Sequence, residues 1–107
     1  MKRLIVSLLA VAAPAFSGAQ TFTGTISESE CPNADHSHMR MGPTDAECAV
    51  ACVDLHGAAY VLYDGTNVYT LSDQKAPEKL AGKKVTVTGT LNISTRTIQV
   101  DSITAAK

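Results

Sequence analysis

The stretch that decides the fold is Lys83-Lys84-Val85-Thr86-Val87-Thr88-Gly89-Thr90-Leu91, in the C-terminal part of the chain. Apolar residues alternate here with threonines, which is the period-two pattern of a β-strand with one buried face. The two valines and Leu91 are predicted to face the core. Gly89 interrupts that face, so we expect a bend or a bulge at this position.

Other strands are predicted on both sides of this stretch. Residues 21–27 alternate in the same way, with Phe22, Gly24 and Ile26 on one face. The remaining predicted strands cover residues 59–64, 67–71 and 97–103, and a short helical turn covers residues 76–81. Five strands with a helix between the third and the fourth is the order of an OB-type barrel. We therefore predict an all-β fold class, a small five-stranded OB-like barrel with one or two short helices; another small β-sandwich or roll is the alternative.

Residues 28–57 interrupt this order as an insertion between strands 1 and 2. Residues 28–43 are polar and lack periodicity, which predicts a long loop, and long loops in small domains are often functional. A helix is predicted to begin at Thr44, because Thr44 and Glu47 have the spacing of a capping box. Gly57 is predicted to end the helix.

The N-terminus has the features of a cleaved signal peptide. Lys2 and Arg3 precede an apolar stretch of about ten residues, and Ser17-Gly18-Ala19 supplies small residues for cleavage. We expect a signal peptide over residues 1–19 and one mature domain over residues 20–107, located in the periplasm or secreted. The mature chain is expected to contain no membrane span.

The charge of the predicted mature chain argues against nucleic acid as a partner. The whole chain has nine basic and ten acidic residues, and loss of Lys2 and Arg3 leaves seven against ten, a net charge of −3. Nucleic-acid binding selects a basic face. The chain also has no tryptophan and only two phenylalanines, which weakens any base-stacking site.

Potential metal ligands are concentrated in the insertion. Cys48 and Cys52 are four residues apart on the predicted helix, so their side chains share one face. With Cys31 and His36 they would complete the tetrahedral set of a zinc site. The imidazole groups of His36 and His38 and the thioether groups of Met39 and Met41 instead suit copper. The predicted metal-binding residues are Cys31, His36, His38, Met39, Met41, Cys48 and Cys52.

Two other roles for the cysteines remain open. Cysteines of exported proteins usually form disulfides, so Cys31 could pair with Cys48 or Cys52. The remaining cysteine would then be a buried thiol or a redox-active one. His56 is interpreted as a cation that complements the C-terminal dipole of the helix, although its position four residues after Cys52 would also allow it to act as a ligand.

Three stretches carry a resemblance to a known family. They are Thr23–Cys31 with the nearby His36, Asp45–Val53 with two cysteines four apart, and Leu80–Leu91. Together they resemble a family of small secreted bacterial proteins of unknown function, in which an aspartate is common where Glu28 stands here. The resemblance implies export and an OB-like barrel with a Cys/His-containing insertion. It implies no activity.

These features together predict an exported, non-catalytic module that binds copper or zinc for sequestration or delivery. No serine elbow, phosphate loop or Cys-x-x-Cys motif is present in the sequence. The alternative is an envelope module without metal, stapled by a disulfide, that binds an envelope protein or a glycan.

Overall fold

The computed structural model describes residues 16–35 and 42–106. In chain order the elements are β1 (Phe16–Glu28), α1 (Asp45–His56), β2 (Tyr60–Tyr63), β3 (Val68–Leu71), α2 (Ala76–Lys79), β4 (Lys84–Asn92) and β5 (Thr97–Ala105). The strands form a closed barrel in the order β1-β2-β3-β5-β4. β3 and β5 are parallel, and the other neighbouring pairs are antiparallel. This confirms the predicted small, mostly β, OB-like barrel with two short helices.

β1 closes the barrel by pairing with two strands. Its first part pairs with β4 as far as Thr25, and its last residues, 25–28, pair with β2. β1 begins five residues before the predicted start at Thr21, and Ala19 lies opposite Thr90 on β4. Cleavage after Ala19 stays a prediction, and the strand would then begin at Gln20, which lies opposite Gly89.

The irregularity predicted at Gly89 is confirmed. The pairing of β4 with β5 shifts register between Thr88 and Gly89. Gly89 is buried, and a Cβ atom built on it would collide with the backbone carbonyl of Gln99. Glycine therefore allows the close approach of the two strands.

The inner faces of the strands form the core, as the alternation predicts. Val85 and Val87 are fully buried, and Leu91 packs against the core. One face of α1 contributes Ala49, and the segment after α2 contributes Ala81. The remaining core residues are Ile26, Tyr60, Leu62, Leu71 and Ile98.

The end of β1 departs from the predicted pattern. The alternation of residues 21–27 predicts Ser27 on the polar face, opposite Ile26, and the predicted loop begins at Glu28. Both residues are instead fully buried, and Glu28 is the last residue of β1. The chain turns back after Glu28, which forms an isolated β-bridge with Cys31. The Ser27 hydroxyl donates a hydrogen bond of 2.6 Å to the Cys31 carbonyl, so its polar group is satisfied inside the protein.

Candidate metal centre

α1 carries two of the predicted ligands, Cys48 and Cys52, and both ends of the helix are capped. The N-cap is Thr44, whose hydroxyl accepts a hydrogen bond of 3.1 Å from the Glu47 backbone amide. The Thr44 hydroxyl also donates to the Glu47 carboxylate at 3.3 Å, so these side chains interact with each other. Gly57 follows the helix in a left-handed conformation at φ 71°, and its amide donates to the Cys52 carbonyl. Both predicted helix boundaries are therefore confirmed.

The buried side of α1 carries two cysteines. Cys48 and Cys52 have no exposed surface, and Cys31, in the turn after β1, is 5% exposed. All three cysteines are thiols in this structure. Electrostatic interaction with Cys48 contributes to raising the pKa of both Cys31 and Cys52, so the three groups lie within electrostatic range of one another.

The turn after β1 is built around the buried carboxylate of Glu28. This carboxylate accepts hydrogen bonds from the Cys31 amide at 2.9 and 3.1 Å and from the Glu30 amide at 2.7 Å. Buried polar groups are stabilised by such hydrogen bonds, which also restrict the backbone around them. The position of Glu30 is thus fixed by the residue two places before it.

A second set of hydrogen bonds ties this turn to the segment that follows α1. The Ser29 amide donates to the Ala59 carbonyl at 2.8 Å, and the Ala59 amide donates to the Ser29 hydroxyl at 3.0 Å. Because Ala59 lies three residues after His56, these bonds hold the turn against the C-terminal end of α1. Glu30 and the last turn of the helix are consequently neighbours.

Three side chains of different chemistry converge at this point. The ligand atoms of Glu30, Cys52 and His56 all lie within 4.8 Å of one another. His56 Nδ1 is 2.8 Å from Glu30 Oε1. Cys52 is buried, whereas the side chains of His56 and Glu30 are 37% and 34% exposed. The cluster therefore has a buried sulfur and two ligand groups that solvent reaches.

The electrostatic environment of the cluster is negative. Burial raises the pKa of the Cys52 thiol to about 12, and the carboxylates of Glu28 and Glu30 and the other two cysteines add to this effect. Burial also raises the pKa of Cys31, together with the charge of Glu28, the nearby Cys48 and a side-chain hydrogen bond to Glu28. A site that disfavours a thiolate for these reasons favours a proton or a cation beside the sulfur.

The structure brings only part of the predicted ligand set into this cluster. Cys52 belongs to it, and Cys31 and Cys48 lie in the same buried region. His36, His38, Met39 and Met41 lie outside the described residues. Two members of the cluster are absent from the predicted metal-binding residues: the sequence assigns no role to Glu30, and it assigns His56 to the helix dipole, with a ligand role as the alternative. The spacing of Cys52 and His56, one helical turn apart, was the signal available in the sequence.

Among the residues that the structure describes, no helix combines the length and the apolar character needed to span a bilayer.

Comparison with known proteins identifies a family but no activity. No curated protein and no solved structure matches the chain. Residues 53–106 match a family described as "Protein of unknown function (DUF5818)". The match covers β2 to β5 and the end of α1, including His56, and it begins directly after Cys52. The chain belongs to this family of proteins of unknown function, DUF5818.

Proposed function

We propose that this protein is an exported, non-catalytic module that binds one copper or zinc ion for sequestration or delivery. The observation that carries the proposal is the convergence of Glu30, Cys52 and His56, whose ligand atoms lie within 4.8 Å of one another. Thiolate, imidazole and carboxylate are all ligands of transition metals in proteins.

The placement of the three side chains supports a site formed by the fold. They come from two segments that are distant in sequence, and hydrogen bonds between Ser29 and Ala59 hold these segments together. Small closure of the cluster would bring its atoms to bonding distance, since zinc is about 2.3 Å from sulfur and about 2.0 Å from nitrogen or oxygen. The buried carboxylate of Glu28 fixes the backbone of Glu30 from the other side.

The negative surroundings of Cys52 support a cation as the ligand. A metal ion that replaces the thiol proton would neutralise charge in a region where burial and two carboxylates disfavour a bare thiolate. The partial exposure of Glu30 and His56 gives the ion a route from solvent. Access of this kind suits an ion that is taken up and released, as sequestration or delivery requires.

Export is the second part of the proposal and rests on the sequence of residues 1–19. In the envelope the module would bind metal outside the reducing cytosol.

The alternative role, a disulfide-stapled module that binds an envelope protein or a glycan, is supported by the burial of Cys31 beside Cys48 and Cys52. An oxidised pair there would pin the turn after β1 to α1.

The test is the native mass of the full chain, expressed in a bacterium that exports it and isolated from the envelope fraction. We expect one copper or zinc ion that a strong chelator removes, together with three thiols on denaturation. Cys52→Ser is expected to abolish stoichiometric metal, while the control Glu47→Gln, at the other end of α1, retains it.

The same measurement decides between the two roles. A mass two protons below that of the reduced chain, with no metal after Cu(I) or Zn(II) is supplied, would reject metal binding in favour of the disulfide. The mass of the isolated chain also reports whether cleavage occurs after Ala19.

A further inference from the structure

The donor set points to zinc(II) as the ion that this site selects over copper(I), with the Glu30 carboxylate as the residue that determines the preference. This inference rests on the proposed function and specifies its ion. The ligand atoms are one sulfur, one ring nitrogen and one carboxylate oxygen, from Cys52, His56 and Glu30. Zinc(II) binds all three atom types, whereas copper(I) prefers soft sulfur ligands.

The charges of the ligands lead to the same ion. A Cys52 thiolate and a Glu30 carboxylate together carry two negative charges, which a divalent cation neutralises and a monovalent cation only halves. The residual charge matters because Cys52 is fully buried and the fully buried Glu28 carboxyl lies close by. Uncompensated charge in a buried region is costly. A divalent ion is therefore the better match.

Glu30 is held in place before any ion arrives, which distinguishes it from an ordinary surface carboxylate. Its amide donates to the Glu28 carboxylate at 2.7 Å, and its Oε1 atom lies 2.8 Å from His56 Nδ1. Ser29, the residue before it, is bonded to Ala59 through both its backbone and its side chain. A ligand fixed in this way loses little conformational entropy when it binds a metal.

The number of ligands in the described cluster also matches a zinc site that exchanges its ion. Three protein ligands leave the fourth tetrahedral position of zinc for water or for a ligand from another molecule. The exposed part of the cluster, formed by Glu30 and His56, is where that position would face solvent. Transfer of zinc(II) to or from a partner would take place through this side.

The test compares zinc(II) and copper(I) affinities of the full chain, each measured by competition with a chromogenic chelator, with a reductant present for copper(I). Glu30→Gln is expected to lower zinc(II) affinity at least tenfold, the minimum effect typical of changes around a metal ligand. Its copper(I) affinity is expected to stay within twofold of the wild-type value. Glu30→Met, which offers a soft thioether, is expected to lower zinc(II) affinity and raise copper(I) affinity.

Glu47→Gln is the matched control and is expected to change neither affinity, because Glu47 lies at the other end of α1. Cobalt(II) in place of zinc gives a second readout, a thiolate-to-cobalt absorption band that Cys52→Ser should remove and Glu30→Gln should shift. Equal losses for both ions in Glu30→Gln, or no loss for either, would overturn the assignment of Glu30. Binding of neither ion by the wild-type chain would instead reject the proposed function itself.

Discussion

His56 Nδ1 lies 2.8 Å from Glu30 Oε1, although 26 positions separate the two residues in the chain. Such a contact between partly exposed groups contributes little to stability, at most about 1 kcal/mol. It does place a nitrogen and an oxygen beside the buried sulfur of Cys52. In the proposed function the pair supplies two of the metal ligands, and its contribution is measurable by comparing the protein with and without metal.

We expect His56→Ala to remove most of the thermal stabilisation that zinc confers, while changing the metal-free protein by no more than about 1 kcal/mol. At free zinc of about 100 times Kd, a single site stabilises the folded state by about 2.7 kcal/mol. Differential scanning calorimetry with and without zinc measures the difference. The double variant His36→Ala/His38→Ala is the comparison: if it loses the zinc effect and His56→Ala keeps it, the centre lies in residues 36–41 instead.

The buried carboxylate of Glu28 is predicted to stabilise the turn that carries Glu30. Glu28→Ala removes the carboxylate acceptor of the Glu30 and Cys31 amides, and the Cys31 amide keeps only its bond of 3.2 Å to the Glu28 carbonyl. We expect a loss of about 1–3 kcal/mol, the cost of one unsatisfied donor. Glu28→Gln keeps one acceptor oxygen and should lose less. Urea unfolding of the metal-free proteins should therefore rank wild type above Glu28→Gln above Glu28→Ala. Equal stability of Glu28→Ala and wild type would contradict this role.

The fold could be predicted from local patterns, whereas the cluster of Glu30, Cys52 and His56 could be predicted only in part. Alternation places Val85 and Val87 in the core, and Thr44 and Gly57 mark the ends of α1, because each effect acts within a few residues of the chain. The contact between Glu30 and His56 depends on hydrogen bonds between Ser29 and Ala59, which are 30 positions apart. No periodicity or spacing in the sequence encodes that pairing.

The prediction for the polar residues at the end of β1 is wrong for a different physical reason. Period-two alternation assigns Ser27 to the solvent face, since it treats the strand as flat and covered on one side only. The chain instead turns back at Cys31, and the backbone of that turn supplies partners for the polar side chains. Burial of Ser27 and Glu28 thus depends on the turn formed by residues 28–31, which lies beyond the alternating stretch of residues 21–27.

Gly89 is predicted to tolerate no side chain, because a Cβ atom there would meet the backbone carbonyl of Gln99 on β5. We expect Gly89→Ala to destabilise the protein by about 2–3 kcal/mol, the upper range for overpacking. Gly65→Ala is the control: Gly65 has φ 102° but no atom within 4 Å, so only backbone strain of about 1–2 kcal/mol is expected. Chemical denaturation of both variants measures the difference, and equal losses would show that the contact with Gln99 is unimportant.

The turn between β2 and β3 is predicted to lose part of its stabilising effect at acidic pH. The Asp64 carboxylate accepts hydrogen bonds from the Asn67 and Thr66 amides at 2.6 and 2.8 Å, and these bonds lower its pKa below the ordinary value of 3.8. Because the folded pKa is the lower one, the stabilisation is present above about pH 4 and is lost as the pH falls through the folded pKa.

Asp64→Asn keeps an acceptor oxygen for this turn but has no charge to titrate. We expect its stability to fall less than that of the wild type between pH 7 and pH 3. Asp64→Ala loses the acceptor too, so it should be the least stable of the three proteins at pH 7. The comparison uses denaturant midpoints at both pH values, and identical acid losses in wild type and Asp64→Asn would contradict the assignment.

Removal of the hydroxyl group is predicted to raise the stability of the protein at Tyr60 and to lower it at Tyr63. Within the part of the chain that the structure describes, the Tyr60 hydroxyl is buried without a hydrogen-bond partner, whereas the Tyr63 hydroxyl donates to the Gly65 carbonyl at 2.9 Å. An unsatisfied buried hydroxyl costs about 1–3 kcal/mol. Tyr60→Phe is therefore expected to stabilise the protein by about 1 kcal/mol, and Tyr63→Phe to destabilise it by a similar amount.

Alkaline unfolding supplies an independent check on Tyr60. Burial raises its pKa to about 12 from an ordinary value of 10, and the charges of Glu78 and Asp54 add to the effect. Since the folded pKa is the higher one, the unfolded chain loses its Tyr60 proton before the folded protein does. The free energy of unfolding of the wild type is therefore unaffected by Tyr60 ionisation below about pH 10 and falls as the pH rises toward 12. Tyr60→Phe should lose less stability between pH 9 and pH 11 than the wild type does. Equal losses in both proteins would show that ionisation of Tyr60 does not cause the alkaline loss of stability. A Tyr60→Phe variant less stable than the wild type at pH 7 would show that the hydroxyl has a hydrogen-bond partner.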